Sequence, residues 1–232
     1  STHTNENQKH NKRQTDRTFQ DLEKTLFMKI LICGVGALGS NLTSMLVPDL
    51  RGEHEITVLD KDNVEDRNVQ AGTQFYMPDQ IGLSKVDALQ YNIHKWFNRE
   101  IQIINKKIVI TRNGISRNEL TPMVLEEFDL LVDCLDNQKA RQAIQNEWQH
   151  TKGKNSALHI GFSDQFTFAL EWAENYKVPS DITSGFDICT TDGAASFIKM
   201  VASLASQTVQ VYLKTGQKKE FIGNALRLVE VK

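Results

Sequence analysis

The sequence predicts an α/β fold, a mostly parallel sheet with helices on both faces and antiparallel strands in the C-terminal half. Three observations lead there. An apolar run, Lys29 to Cys33, meets the glycine-rich turn Gly34 to Gly39 and passes directly into helix-like sequence. A second strand-like run, Glu55 to Leu59, follows at the spacing of a β-α-β unit. From Ala157 the period changes, and Ala157 to Phe162 and Phe166 to Trp172 read as short β-rich stretches with a turn between them, antiparallel or mixed.

Residues 1 to 20 carry one large apolar side chain, Phe19, and predict a disordered polar tail; residues 21–232 read as a single domain. Asp21 to Phe27 suggests a short helix with Leu22, Leu26 and Phe27 on one side. The run before the glycine turn suits a strand buried on both faces. In the turn, Gly34 permits a tight bend, Gly36 lets the backbone approach a phosphate, and Gly39 lets the following helix lie against the strand. The helix begins at Ala37, and Leu38, Leu42, Met45 and Leu46 continue its buried stripe until Pro48, read as a stop. This strand, turn and helix are Rossmann-like, and the N–H groups at the helix start would hold a phosphate-bearing ligand. The second strand ends on Asp60, about 20 residues past Gly39, where a carboxylate suits ribose hydroxyls.

The loop Lys61 to Gly82 is long and polar, yet holds Phe75 and Tyr76, which need cover. Ser84 caps a helix from Lys85 to about Phe97, with Val86, Leu89, Ile93 and Trp96 or Phe97 facing inward. Ile101 to Ile110 is a strand candidate, and Thr121-Pro122 opens a helix running to Phe128. Asp129 to Cys134 is the next strand, and Leu135-Asp136-Asn137 leads into a helix through Arg141, Ile144 and Trp148. Asn175 to Asp187 reads as loop. Asp192 or Gly193 starts the longest helix, with Phe197, Met200, Val201, Leu204, Val209 and Leu213 buried, and Phe221 to Val231 closes the chain as one strand.

The net charge of -2 argues against nucleic acid as the main partner, and the lack of a long apolar run leads us to expect no membrane span and a cytoplasmic protein. Three well-separated cysteines offer neither a disulfide framework nor a zinc site; Cys33 and Cys134 read as packing residues in core strands.

Four motifs in order, Gly34 to Gly39, Asp60-Lys61-Asp62-Asn63-Val64-Glu65 with Asn68, Ile81 to Lys85, and Asp133-Cys134-Leu135-Asp136-Asn137 with Arg141, resemble the ThiF/MoeB/HesA family, which includes the adenylation half of ubiquitin-activating enzymes. The resemblance implies adenylation by ATP, with release of pyrophosphate, of the C-terminal carboxylate of a small ubiquitin-like or sulfur-carrier protein, in a homodimer. It implies that Gly34, Gly36, Ala37 and Gly39 cradle phosphate, that Asp60 in the segment to Asp62 binds ribose, that Asn68 and Lys85 hold phosphates, and that Asp136, beside Asn137, binds Mg²⁺. The family carries Arg-Gln shortly after the asparagine, and here Ala71 stands where the arginine belongs; Arg67, or Arg13 reaching from a partner's tail, could supply the charge. Cys189 precedes the last helix, where some relatives place a thioester-forming cysteine; it reads either as that acceptor or as a partly buried structural thiol. The missing arginine also fits a non-catalytic scaffold half of a heterodimer. A nicotinamide-dependent oxidoreductase shares the glycine turn and Asp60 but leaves Lys85 and Asp136 without work.

Overall fold

A computed structural model describes residues 26–104, 110–111, 114–115, 127–150, 155–163, 165–179, 191–224 and 227–231. Arg13, Cys189, nearly all of the 121–128 helix candidate and much of the 175–187 loop lie outside them.

The strands are β1 (Lys29–Cys33), β2 (Glu55–Leu59), β3 (Gln102–Ile104), β4 (Ile110–Thr111), β5 (Gly114–Ile115), β6 (Leu130–Asp133), β7 (Ser156–Phe162), β8 (Thr167–Trp172), β9 (Glu220–Asn224) and β10 (Arg227–Val231). The helices are α1 (Ala37–Leu50), α2 (Asp66–Gln70), α3 (Lys85–Phe97), α4 (Gln138–His150) and α5 (Ala194–Thr215), with a 3-10 turn at Pro78–Gln80. Eight strands form one sheet in the order β10-β9-β8-β7-β6-β1-β2-β3. β3, β2, β1, β6 and β7 run parallel, and β8, β9 and β10 add antiparallel partners. This is the fold class read from the sequence.

Alternate residues of the parallel strands face opposite layers, as the pleat requires. Ile30, Ile32, Val58, Leu130, Val132 and Leu158 pack with α1, α3 and α5, whereas Leu31, Cys33, Leu59, Leu131 and Ala157 pack with Ala143, Ile144 and Trp148 of α4. The strands are therefore apolar without alternation because both faces are covered. Chain connections leave β1 and β6 toward opposite layers, which opens a crevice at their carboxyl ends, where α/β sheets bind ligands.

Several expectations need correction. Pro48 does not stop α1, which runs on to Leu50 and ends at Arg51 in the left-handed region; a proline so near the end removes one backbone bond, while buried Leu46, Val47 and Leu50 hold the last turn. Leu26 and Phe27 lie in no helix and are exposed. The run from Ile101 is not one strand: Gln102–Ile104 pairs with β2, and Ile110–Thr111 pairs with β5 in a separate ribbon. The closing run is not one strand but two antiparallel ones, β9 and β10, paired from Asn224 with Arg227 to Glu220 with Val231. On α3 it is Phe97 that packs inward, while Trp96 is 59% exposed, and Met200 on α5 is 39% exposed. The loop after β2 contains α2 and the 3-10 turn, and it buries Tyr76 while Phe75 packs against the core.

Candidate functional site

The glycine turn folds back on itself tightly enough to leave only glycine two choices of place. Gly34 has φ +85°, donates its N–H to Leu59 O at 2.8 Å, and closes the end of β1. A Cβ on Gly39 would stand 1.9 Å from Gly34 O, so α1 begins pressed onto the turn. Around Gly36 the space is open: a Cβ there would meet nothing within 4 Å. Gly36 is the N-cap of α1; no side chain caps this end and no acidic residue lies in its first turn, which starts at Ala37. An uncapped helix N-terminus facing open space is the arrangement that holds an anion.

Asp60 ties the turn to β2. Its Oδ2 accepts from Val35 N at 2.8 Å and its Oδ1 from Asp62 N at 2.9 Å, which leaves each oxygen a further lone pair for a hydroxyl donor. Tyr76 donates its hydroxyl to Val35 O at 2.6 Å, and burial pushes its own pKa well up. Asn41 donates to Thr73 O and Ser40 accepts from Phe75 N, so residues 73–76 wall the first turn of α1.

The segments 62–64 and 82–85 clasp one another. Val64 N donates to Leu83 O, Gly82 N to Val64 O and Lys85 N to Asp62 O, at 2.8, 2.8 and 2.9 Å. Lys85 thereby starts α3 beside Asp62, and Ser84 caps the helix by accepting from Asp87 N. Among the described residues Lys85 makes no ion pair. Asp62 bonds Lys61, and that hydrogen bond raises the lysine's pKa, against burial and helped by the charges of Asp62, Asp60 and Asp136. Asp62 is the carboxylate bonded to that ammonium, and the charges of Asp60 and Asp136 reach it from the carboxyl ends of β2 and β6.

Asp136 is exposed, and the helix cap is its neighbour: Asn137 Oδ1 accepts from Ala140 N at 2.8 Å. Asn68 is buried inside α2, where its Oδ1 accepts from Glu65 N in a capping box, and Arg67 pairs with Glu65 at 2.6 Å on the exposed side. Ala71, exposed, is the residue that ends α2.

The sequence reading named Asp133 and Arg141 within a motif but passed over the buried group they form with His159, Gln145 and Tyr176 on the α4 side of the sheet. Arg141 gives Nη2 to Ile160 O at 2.9 Å and Nη1 to Tyr176 Oη at 3.2 Å; burial opposes its charge, and Asp133, then Tyr176, more than restore it. The visible signal was a histidine inside an otherwise apolar strand. Cys33 and Cys134 have their thiol pKa values raised by burial, with Asp133 adding, so neither is poised as a nucleophile.

Residues 11–230 match the ThiF family. The chain is 26% identical over 219 residues to ubiquitin-like modifier-activating enzyme 5 of Caenorhabditis elegans, covering 85% of this chain and 51% of that protein. It is 28% identical over 234 residues to the protein of the same name from Aedes aegypti, covering 89% and 56%. The chain spans about half the length of the curated relatives it matches. Among solved structures, E. coli MccB with ATP superposes with TM-score 0.68 at 17% identity, covering 91% of this chain and 65% of that one. At that identity the likeness is one of fold.

Proposed function

The chain belongs to the ThiF family, and from that premise we propose that it is an ATP-dependent adenylyltransferase acting on the C-terminal carboxylate of a small ubiquitin-like or sulfur-carrier protein. The observation that carries this reading is the uncapped N-terminus of α1, open at Gly36, with Asp60 accepting from Val35 N in the turn that leads into it. Relatives named as ubiquitin-like modifier-activating enzymes and a fold neighbour solved with ATP support it.

In this reading the α1 N–H groups, Lys85 and Asn68 hold phosphates and Asp60 holds the ribose, Asn68 also accepting from Glu65 N within α2. Asp136, free of capping work, is the residue that would hold Mg²⁺, an oxygen-ligated cation whose charge offsets that of the triphosphate. A carboxylate oxygen of the carrier attacks the α-phosphorus, the bond to the bridging oxygen of the β-phosphate breaks, and pyrophosphate leaves with the electron pair. The chain's task is alignment and charge neutralisation. Arg13 of a second copy, in a homodimer, is proposed to add the missing cation; deleting residues 1 to 20 then lowers turnover and leaves the melting temperature unchanged. Cys189 is proposed as the thioester acceptor, a role excluded if Cys189→Ala keeps a reductant-sensitive adduct with the carrier. A second reading, the scaffold half of a heterodimer, is favoured by one observation, Ala71 in the arginine's place.

The test is a calorimetric titration of Mg²⁺·ATP into the chain, beside NAD and beside Lys85→Ala. Binding of ATP that weakens in the variant is expected. A folded chain that does not bind ATP selects the scaffold, and tight NAD binding overturns the assignment.

A further inference from the structure

The buried polar group on the α4 side has a proton count that its hydrogen bonds dictate. Asp133, His159 and Glu171 are register partners across β6, β7 and β8, and the pairing of Leu170 with Phe221 sets Glu171 beside Glu220 on β9. His159 is 1% exposed and Asp133 fully buried. His159 Nδ1 lies 2.7 Å from Asp133 Oδ2, and its Nε2 lies 2.9 Å from Gln145 Oε1. Its ring stacks on Tyr176, with centroids 3.8 Å apart and planes within 8°.

The orientation of the Gln145 amide is settled by its other end. Its Nε2 donates to Ala173 O at 2.8 Å, and turning the amide over would set two acceptor oxygens against each other there. Oε1 therefore faces the ring, and both ring nitrogens look at acceptors. A neutral imidazole has one N–H, which satisfies one contact and leaves two lone pairs opposed at the other. Two protons are required on the Asp133–His159 pair. The carboxyl also accepts from Leu135 N through Oδ1 at 2.9 Å and has the Arg141 guanidinium 3.9 Å from Oδ2, an arrangement that suits both protons lying on the ring. The groups facing His159 are Asp133 from β6, Glu171 from β8, Arg141 and Gln145 from α4, and Tyr176 after β8. Glu220 of β9 adds a further carboxyl beside Glu171, and burial together with that neighbour raises the Glu171 pKa.

We propose that His159 is a buried imidazolium and a positioning residue: by anchoring Asp133 it fixes the 134–137 loop, held through the Leu135 N–H, that presents Asp136. Its bearing on catalysis rests on the adenylation reading; the proton count and the anchoring do not. Loss of either proton opens the Asp133 or the Gln145 contact in a place water does not reach, and the carboxylate that steers the loop loses its partner.

The experiment uses the full chain labelled with ¹⁵N-histidine, with the His159 signal assigned by its loss in His159→Gln. A long-range ¹H–¹⁵N correlation at pH 7 is expected to show two proton-bearing ring nitrogens, and one bare nitrogen overturns the count. In His159→Gln, amide hydrogen exchange at Leu135 is expected to speed up about tenfold over any change in the core of α5. Equal acceleration in both places overturns the positioning role. If that variant does not fold, the same correlation on the unaltered chain, assigned by Gln145→Leu, still decides the count. Neither readout depends on ATP turnover, so a failure of the adenylation reading is told apart from a failure here.

Discussion

Replacing Gly39 by alanine separates packing from ligand approach when set beside the same change at Gly36. At Gly39 the new methyl would sit 1.9 Å from Gly34 O, where ordinary contact begins at 3.4 Å, so about 1.5 Å must open between two backbone segments. Neither side yields easily: Gly34 is tied to Leu59 O, and α1 is buried along Leu38, Leu42 and Leu46. Overpacking against backbone of this kind costs about 3 kcal/mol or more. For a domain of this size that lowers the melting temperature by roughly 6–12 °C. At Gly36 the methyl meets only open space, and the loss is that of a glycine N-cap, about 0.5 kcal/mol. ATP affinity, however, should fall on the order of tenfold, since the methyl stands where a phosphate would come. Scanning calorimetry and ATP titration on both variants test this pair of expectations. Gly39→Ala melting within a degree or two of the parent refutes the packing argument, and Gly36→Ala binding ATP at parental affinity refutes the phosphate argument.

Asp136→Asn should leave stability within about 0.5 kcal/mol and lower pyrophosphate exchange on the order of a hundredfold, whereas Asn137→Ala should cost about 1 kcal/mol of stability by uncapping α4; denaturant melts and exchange assays on both check the division of labour. Tyr76→Phe strips the hydroxyl from Val35 O and should cost about 1–2 kcal/mol, read by urea unfolding. His54, 8% exposed, accepts from Met28 N through Nδ1, and burial lowers its pKa against the weaker pull of Glu53. The unfolded chain therefore takes up this proton first, and stability is lost as pH falls through about 6.5 toward the folded value. Urea midpoints at pH 7 and pH 5.5 should diverge more in the parent than in His54→Gln; equal divergence removes His54 as the cause.

The parallel half of the fold was legible because its strands are buried on both faces and its turns carry glycine or a cap. Lys29 to Cys33, Glu55 to Leu59 and the Ser84-capped helix agree with the structure to the residue or nearly so. What misled were features whose outcome depends on neighbours. Pro48 reads as a stop until the burial of Leu50 is known, and Trp96 and Phe97 are equivalent until the sheet selects one. Of the candidate site, the positions were legible: Asp60, Lys85 and Asp136 each stand near the end of an element. That Asp60 and Asp136 both act on the charge of Lys61 follows from strand order, which one-dimensional spacing does not carry. His159 was missed because a polar side chain in a core strand declares its partners only across strands.

The hydrogen-bonded clasp between residues 62–64 and 82–85 decouples two histories within one loop. The stretch from Glu65 to Gly72 leaves one side of the clasp before residues 73–76 dock on α1, so its exposed positions can drift without changing the spacing between Asp62 and Lys85. Closing a somewhat longer excursion adds only about 0.6 kcal/mol for each doubling of length. An arginine can be lost at Ala71, or a residue gained before Gln74, while the flanks keep their places. Variation is channelled into the part of the chain that can tolerate it, and the clasp is the place where a single proline, at Val64 or Lys85, would end that tolerance by deleting a donor.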